Sequence, residues 1–377
     1  MGSAIHPGEL AVPAVRALSP YVPGKPIAEL ERELGLHDII KLASNENPYG
    51  ASPGTLAAMR AALEQVWLYP DGSCHALKRQ LAAHLGIDAA QLSVGNGSNE
   101  LLLLLCEAFL TPAHSAICSQ YGFAIYPLVI RATGARLIEV PALAAADPMP
   151  FGHDLAAMAA AIRPDTRLLF IANPNNPTGT WVSPAELKRL LVAAPTSTLI
   201  VLDEAYIEYG QERGVQDAQQ TLGWLREHPN LVLLRTFSKA YGLAGARVGY
   251  GISHPEVAAV LDRLRPAFNV NSLAQAGACA ALADQGYMQS SVRRTMAELV
   301  RCEAHCRRLG LWVAPSAANF LMVRVGPAAQ HVYQQLLQQG LIVRPIAGYG
   351  LPQFLRISVG TPEHTERLFA ALPGALA

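Results

Sequence analysis

Charge is scarce in this chain. Asp, Glu, Lys and Arg make up 15% of its 377 residues, the two signs cancel to a formal net charge of zero, and no basic run occurs. Nucleic acid is excluded as a partner, because it is bound through clustered Lys and Arg. Long hydrophobic runs are also missing, although 51% of the residues are apolar. No segment approaches the roughly 20 uninterrupted apolar residues of a membrane span, so no membrane partner is expected. The start, Met1-Gly-Ser-Ala-Ile-His-Pro7, has no charged segment followed by an apolar one, so no signal peptide is expected. Cysteines are few and scattered: Cys74, Cys106, Cys118, Cys279, Cys302 and Cys306. They imply no disulfide framework, and the cytoplasm is the default location. Cys302, His305 and Cys306 share one helical turn but have no second ligand pair, so no metal site is expected. Internal repeats and low-complexity segments are absent.

What is present is an alternation. A length of 377 residues exceeds one ordinary core and predicts a large domain plus a smaller one. Residues 1–48 read as an arm, broken by Pro13, Pro20, Pro23 and Pro26, with a short helix over Ile27–Leu34, and are expected to pack with the small domain. From residue 49 to about 260, apolar runs alternate with helical segments. The runs are Leu92–Val94, Ala116–Cys118, Arg136–Val140, Leu168–Ala172, Leu199–Leu202, Leu231–Leu234 and Val248–Ile252. Strands alternating with helices predict an α/β fold with a mostly parallel, doubly wound sheet. Continuous rather than alternating apolarity fits strands covered on both faces. Residues 261–377 change texture. A long helix-prone tract, Ser272–Leu309 with a break at Gln285-Gly286, precedes short strands around a helix over Ala328–Gln338, which predicts a small α+β domain.

Ligands of open α/β sheets bind beyond the carboxyl ends of the strands. After Leu92–Val94 comes Gly95-Asn-Gly-Ser-Asn-Glu100, a glycine loop opening a helix, where Ser98 and Asn99 are candidate phosphate contacts. After Ile117-Cys118 comes an aromatic segment containing Tyr121, Phe123 and Tyr126, which would serve either a flat heterocycle or the core. After Leu168–Ala172 comes Asn173-Pro-Asn-Asn-Pro-Thr-Gly179, with Asn176 a candidate for a ring oxygen. After Leu199–Leu202 comes Asp203-Glu-Ala-Tyr206. A carboxylate ending a buried strand needs a partner, and a protonated pyridine nitrogen is one. After Leu231–Leu234 comes Thr236-Phe-Ser-Lys239, with Arg247 following. A desolvated Lys239 is a nucleophilic amine, and Thr236, Ser238 and Arg247 beside it would bind a dianion. Lysine plus a phosphate cup is what pyridoxal phosphate requires.

With these residues in order along nearly the whole chain, the sequence resembles the fold type I pyridoxal-phosphate aminotransferases, and among them the histidinol-phosphate aminotransferases. The resemblance is carried by Ser19-Pro-Tyr21, Lys41-Leu-Ala-Ser-Asn-Glu-Asn-Pro48, Tyr69-Pro-Asp-Gly72, Gly95-Asn-Gly-Ser98, Asn173–Gly179, Asp203-Glu-Ala-Tyr206, Ser238-Lys239 with Arg247, and Leu355-Arg-Ile-Ser-Val-Gly360. It implies that Lys239 holds the cofactor as a Schiff base and shuttles a proton. Asp203 would pair with the ring nitrogen, Asn176 and Tyr206 would meet the phenolic oxygen, and Phe123 would stack on the ring. Ser98, Asn99, Thr236, Ser238 and Arg247 would cup the phosphate, and Tyr69 would reach it from the other subunit of a homodimer. Tyr21, Asn47, Asn176, Arg344 and Arg356 would bind substrate.

The implied reaction passes nitrogen from glutamate to imidazole-acetol phosphate, giving histidinol phosphate and 2-oxoglutarate in histidine biosynthesis. Rival readings that keep the cofactor are an aromatic amino acid aminotransferase and a decarboxylase of phosphothreonine type. A regulator that senses the cofactor would need a DNA-binding module, for which the chain has no spare length. Two departures from the family pattern are expected near the substrate entrance. Tyr49 stands where leucine is common, and Tyr121-Gly122-Phe123 stands where Pro-Thr-aromatic is common, which leaves Tyr121 as an alternative stacking ring.

Overall fold

The structure, a computed structural model, describes residues 6–377. The N-terminal stretch without signal-peptide features lies mostly outside that range. The arm contributes one short strand, β1 (Ile40–Lys41). The main sheet is built from β2 (Leu92–Gly95), β3 (Ser115–Ser119), β4 (Arg136–Val140), β5 (Thr166–Ala172), β6 (Leu199–Asp203), β7 (Leu231–Thr236) and β8 (Gly249–Ile252). Their order is β2-β8-β7-β6-β5-β3-β4. β8 runs antiparallel to both its neighbours, and the other pairings are parallel. The segment between β7 and β8 holds only a short 3-10 turn, Ala244–Ala246. A parallel return usually runs through a crossover helix, which this segment does not form, and β8 comes back antiparallel.

Alternate residues of the central strands enter two different cores. Leu169, Ile171, Ile200, Leu202, Leu231 and Leu233 face one layer, while Leu168, Phe170, Val201, Val232 and Leu234 face the other. Burial on both faces explains why these strands read as unbroken apolar runs.

The C-terminal part carries β9 (Trp312–Val313), β10 (Phe320–Arg324), β11 (Leu341–Ile342), β12 (Arg344–Pro345) and β13 (Phe354–Ser358). Four of these form an antiparallel sheet in the order β12-β13-β10-β9, and β1 of the arm pairs in parallel with β11. The helix-prone tract divides into Ser272–Ala283 and Gln285–Arg308. The break falls at Asp284, whose carboxylate accepts from the Tyr287 amide as an N-cap, and Gly286 lies inside the second helix. Helices not anticipated include Pro255–Leu264 and Pro362–Leu376. Each opens with proline in its first turn, behind His254 and Thr361 as side-chain caps, a signal available in the sequence. The helix Pro255–Leu264 runs across the boundary expected at residue 260.

Behind the carboxyl ends of β6 and β7 lies a buried ion pair. Arg235 Nε donates to Glu204 Oε2 at 2.8 Å, and both side chains are almost wholly enclosed. Arg235 also donates through Nη2 to the Ala218 carbonyl and to Thr221 Oγ1. Because strand side chains alternate, Glu204 and Arg235 point away from the face that Asp203 and Thr236 serve. Replacing Glu204 by Gln leaves a buried guanidinium without its counter-charge and is expected to cost about 3–5 kcal/mol, read from denaturant unfolding. Removing both charges together with apolar residues is expected to cost far less.

Candidate active site

The main sheet's carboxyl edge faces β10, β12 and β13 across a cleft. Lys239 lies three residues beyond the end of β7, and its Nζ donates to the Ser44 carbonyl at 3.0 Å. Burial, and then the charge of Arg356, push its pKa down from 10.5 to about 7. A primary amine held half-neutral at ordinary pH is a nucleophile and a base. Its Nζ lies 5.7 Å from the centre of the Tyr206 ring.

Asp203 ends β6, buried. Its Oδ2 accepts from the Tyr126 hydroxyl at 2.8 Å and its Oδ1 from the Ala205 amide at 3.2 Å. Burial pushes its pKa up to about 6, against the Tyr126 bond that pulls it down. This is a carboxylate short of a cation. Tyr206 accepts at its hydroxyl from Asn45 Nδ2 at 2.9 Å, and burial pushes that hydroxyl up to about 12. Asn45 is fixed in turn by the Ser358 hydroxyl, which donates to its Oδ1 at 2.7 Å.

An anion cup forms where β2, β7 and β8 meet. The helix Ser98–Phe109 starts here with no side-chain cap, so its first amides stay available to a ligand. Arg247 Nη1 donates to Ser238 Oγ at 3.3 Å and to the Ala244 carbonyl at 3.0 Å. Gly97 has φ +77°, and a Cβ there would overlap the Arg247 guanidinium. A Cβ on Gly249 would strike the Ser98 amide. Bare backbone at both positions lets the arginine and the helix start converge.

Opposite the cup, β12 and β13 set Arg344 directly across from Arg356. Arg356 is 7% exposed. Its Nη1 donates to Asn176 Oδ1 and its Nη2 to the Ala43 carbonyl, each at 2.5 Å, while Nε finds no acceptor. No carboxylate among the described residues pairs with it. Arg344 donates to the Val22 carbonyl of the arm at 2.7 Å and stands beside the Tyr21 ring.

One cavity is therefore lined by Lys239, Asp203, Tyr206, Ser98, Asn99, Phe123, Asn176, Thr236, Ser238, Arg247, Tyr21, Arg344 and Arg356. Between Phe123 and Tyr121, the structure places Phe123 at the cavity. Tyr121 packs instead on Phe151 beside the β10–β13 layer. One contributor expected in this cavity lies elsewhere, and Tyr69, expected at the other subunit's site, lies outside it. Asn47 is buried with its amide spent on the Ala240 carbonyl, the Tyr49 amide and the Ser291 hydroxyl, so it fastens backbone rather than facing the cavity. Tyr69 is 82% exposed and stacks on Phe268, outside this chain's own cavity. Tyr49, expected at the substrate entrance, is also away from it. Its ring lies 3.8 Å beneath the Arg294 guanidinium, and its carbonyl accepts from the Tyr287 hydroxyl. Cys302 and Cys306 are core residues, and His305 stacks on Phe369.

Sequence reasoning assigns no role to Ser44 or Asn45 and leaves Tyr126 between heterocycle and core. Asn45 has φ +57°, and its polar cluster reads as a turn until Tyr206 is brought to it. Tyr126 offered a signal, since it follows Phe123 at helical spacing and so shares its neighbourhood.

The contents of this cavity fit one group well. A depressed lysine, a buried carboxylate lacking a cation, and a cup of amides, hydroxyls and arginine suit an aldehyde, a ring nitrogen and a phosphate of one small molecule. Comparison with known proteins points the same way. The family model for aminotransferases of class I and II matches residues 37–372. Histidinol-phosphate aminotransferase 2 of Pseudomonas aeruginosa is 51% identical over 370 residues, covering 98% of each chain. The protein of the same name from Methylococcus capsulatus is 50% identical over 367 residues, covering 97% of this chain and 98% of its own. Among solved structures, histidinol-phosphate aminotransferase from Sinorhizobium meliloti in complex with pyridoxal-5'-phosphate superposes with a TM-score of 0.86, at 32% identity and 97% coverage of both chains. The L-threonine-O-3-phosphate decarboxylase from Porphyromonas gingivalis, at 23% identity and a TM-score of 0.77, shares the fold.

The Lys239 environment has a consequence for stability. Its pKa is lower in the folded chain than in the unfolded one, so the unfolded state binds more protons between about pH 7 and 10.5. Stability of the cofactor-free protein thus rises with pH across that window. The variant Lys239→Met is expected to be more stable than wild type below pH 7, with the gain fading as pH approaches 10.5. Unfolding curves at several pH values test this, and a gain that does not change with pH would contradict it.

Proposed function

Because the chain belongs to the aminotransferases of class I and II, we propose that it exchanges nitrogen between L-histidinol phosphate and 2-oxoglutarate, forming imidazole-acetol phosphate and glutamate. Arg356 carries this reading, as a buried guanidinium whose partners in the chain are neutral carbonyl oxygens. Burying a charge without a counter-charge is costly, and an anionic substrate recovers that cost. Both substrates carry an anion close to the reacting carbon, the α-carboxylate of 2-oxoglutarate directly on it and the phosphate of histidinol phosphate one methylene away. One pocket must take a carboxylate in one half-reaction and a phosphate in the other, and guanidinium suits both.

Pyridoxal phosphate, when bound, supplies an aldehyde that takes up an amino group and a ring that withdraws electrons from the adjoining carbon. Its phosphate would be held by Arg247, Ser98, Asn99, Thr236 and Ser238. Its ring would be covered by Phe123, with Asp203 holding charge at the ring nitrogen. Tyr126 and the Ala205 amide orient that carboxylate. Tyr206, fixed by Asn45, and Asn176 offer hydrogen bonds to the phenolic oxygen. Lys239 Nζ is the covalent anchor and the base that moves the proton from the substrate carbon. A pKa of about 7 leaves a useful fraction neutral at physiological pH. Tyr21 and Arg344 line the substrate end at its solvent-facing side.

The active form in this reading is a homodimer in the cytoplasm. Its support is an exposed apolar stretch, Val66, Trp67, Leu68 and Tyr69, with Phe268 alongside. Tyr69 points out of its own subunit and would contribute its hydroxyl to the neighbour's phosphate cup. The six cysteines are all free, as a reducing compartment allows. No helix among the described residues is long and apolar enough to cross a membrane.

Purified holoenzyme should lose its cofactor absorbance on addition of glutamate. Imidazole-acetol phosphate should restore it with a second-order rate constant at least about ten-fold above that of phenylpyruvate, the ratio one charge-assisted contact supplies. Equal or faster recovery with phenylpyruvate would make the enzyme an aromatic aminotransferase. Arg356→Met should lower kcat/KM for both anionic substrates by about 10²- to 10³-fold, equivalent to about 3–4 kcal/mol, while leaving cofactor absorbance in place.

A further inference from the structure

The two substrate-side arginines sit on β12 and β13, and the loop joining these strands contains a 3-10 turn, Ala347–Tyr349. Tyr349 reaches from that turn across the cleft. Its hydroxyl accepts the backbone N–H of Ala124 at 3.3 Å. Ala124 caps the helix Ile125–Ala132 and follows Phe123, the ring that lines the cofactor cavity. The first amides of a helix have no partner within it, so an incoming hydroxyl is a natural acceptor there. The Tyr349 ring is held on the same apolar cluster as Ile346, Leu351 and Phe354, which belong to the loop and to β13. One side chain thus ties the arginine-bearing strands to the segment that carries the stacking ring.

A phenolic hydroxyl can accept one hydrogen bond and donate another. The Ala124 amide uses the acceptor side. The Tyr349 proton meets no acceptor among the described residues. The loop that carries Tyr349 joins the strands of Arg344 and Arg356, both of which line the cavity, and its bonded partner Ala124 adjoins Phe123, which lines it too. The hydroxyl therefore stands between two segments that line the cavity, with a donor to spare.

A carboxylate has two oxygens, and one guanidinium fork satisfies them in parallel. A phosphate monoester presents three terminal oxygens and up to two charges, and so takes more donors than the same fork supplies. We infer that Tyr349 is a specificity-determining residue for the phosphorylated substrate, locking the arginine loop against the Phe123 segment and giving its hydroxyl proton to the phosphate. This inference rests on the proposed reading that the pocket accepts a phosphate monoester.

Tyr349→Phe removes the hydroxyl and keeps the ring on its cluster. In the holoenzyme, KM for histidinol phosphate should rise about ten-fold, the worth of one hydrogen bond to a charged group. The glutamate half-reaction should change less than about two-fold, well inside the cost of a lost charged contact. The melting temperature and the cofactor absorbance should stay near wild type. A second readout needs no turnover. Inorganic phosphate, titrated into holoenzyme whose cofactor cup is filled, should bind the variant about ten-fold more weakly. Equal losses for both substrates, or a drop in melting temperature with no discrimination between them, would reduce Tyr349 to a strut and overturn the inference. No change in either phosphate readout would overturn it too. If wild type does not turn over histidinol phosphate, the proposed reaction fails. The phosphate titration still judges Tyr349 by itself.

Discussion

Charge withdrawn from water along one edge of the main sheet is the constraint on which the rest of this molecule depends. Lys239, Asp203 and Arg356 are enclosed within one cavity, yet none is paired with a side chain of opposite charge. Desolvation moves the lysine and the aspartate toward their neutral forms. Three such groups are unfavourable for stability and useful for chemistry, since a ligand carrying an aldehyde, a ring nitrogen and anionic ends supplies each missing partner. The apolar strands β5, β6 and β7 make this arrangement affordable, because their two buried faces stabilise the layer that holds the groups.

The same edge shows how the chain keeps its charges apart. Asp203 and Glu204 are neighbours in sequence with opposite fates. Strand alternation turns Asp203 into the cavity and Glu204 to the far side, where Arg235 neutralises it. Thr236 and Arg235 divide likewise on the neighbouring strand. One face of the sheet edge is electrostatically satisfied and the other is left incomplete. The satisfied face fixes the strand ends, so the incomplete face keeps its geometry before any ligand arrives.

The substrate side is assembled differently. The anion cup, Lys239 and Asp203 follow directly from strands of one sheet. Arg344 and Arg356 come from a second sheet, Tyr21 from the arm, and Asn45 from the segment after β1. These pieces are joined by hydrogen bonds between distant segments, such as Arg344 to the Val22 carbonyl and the Ser358 hydroxyl with the Asn45 amide and Oδ1. Cofactor residues thus sit on the rigid layer, and substrate residues on segments whose relative position depends on a few polar contacts. That division suits a pocket obliged to accept a carboxylate and a phosphate in turn.

Much of this was legible in the sequence, for local reasons. Apolar runs marked the strands of the main sheet because both faces are buried, and polar residues following each run marked the strand ends where ligands bind. The glycine loop before Ser98 marked a helix opening suited to a phosphate. The helices Pro255–Leu264 and Pro362–Leu376 carry cap and proline signals that the sequence reading did not use. What the tertiary structure alone decided are the contacts between remote segments. Asn45 meets Tyr206 from 161 positions away, and Arg356 meets Asn176 from 180. Asn47, two residues from Asn45, turns instead toward Ala240 and Ser291 and leaves the cavity. Nothing local separates the fates of two asparagines in one turn, because each is set by which distant segment packs against it. The sequence by itself determined which residue types end each strand and therefore the chemistry available. Only the packing of the arm and the C-terminal strands against the main sheet decided which of those residues meet.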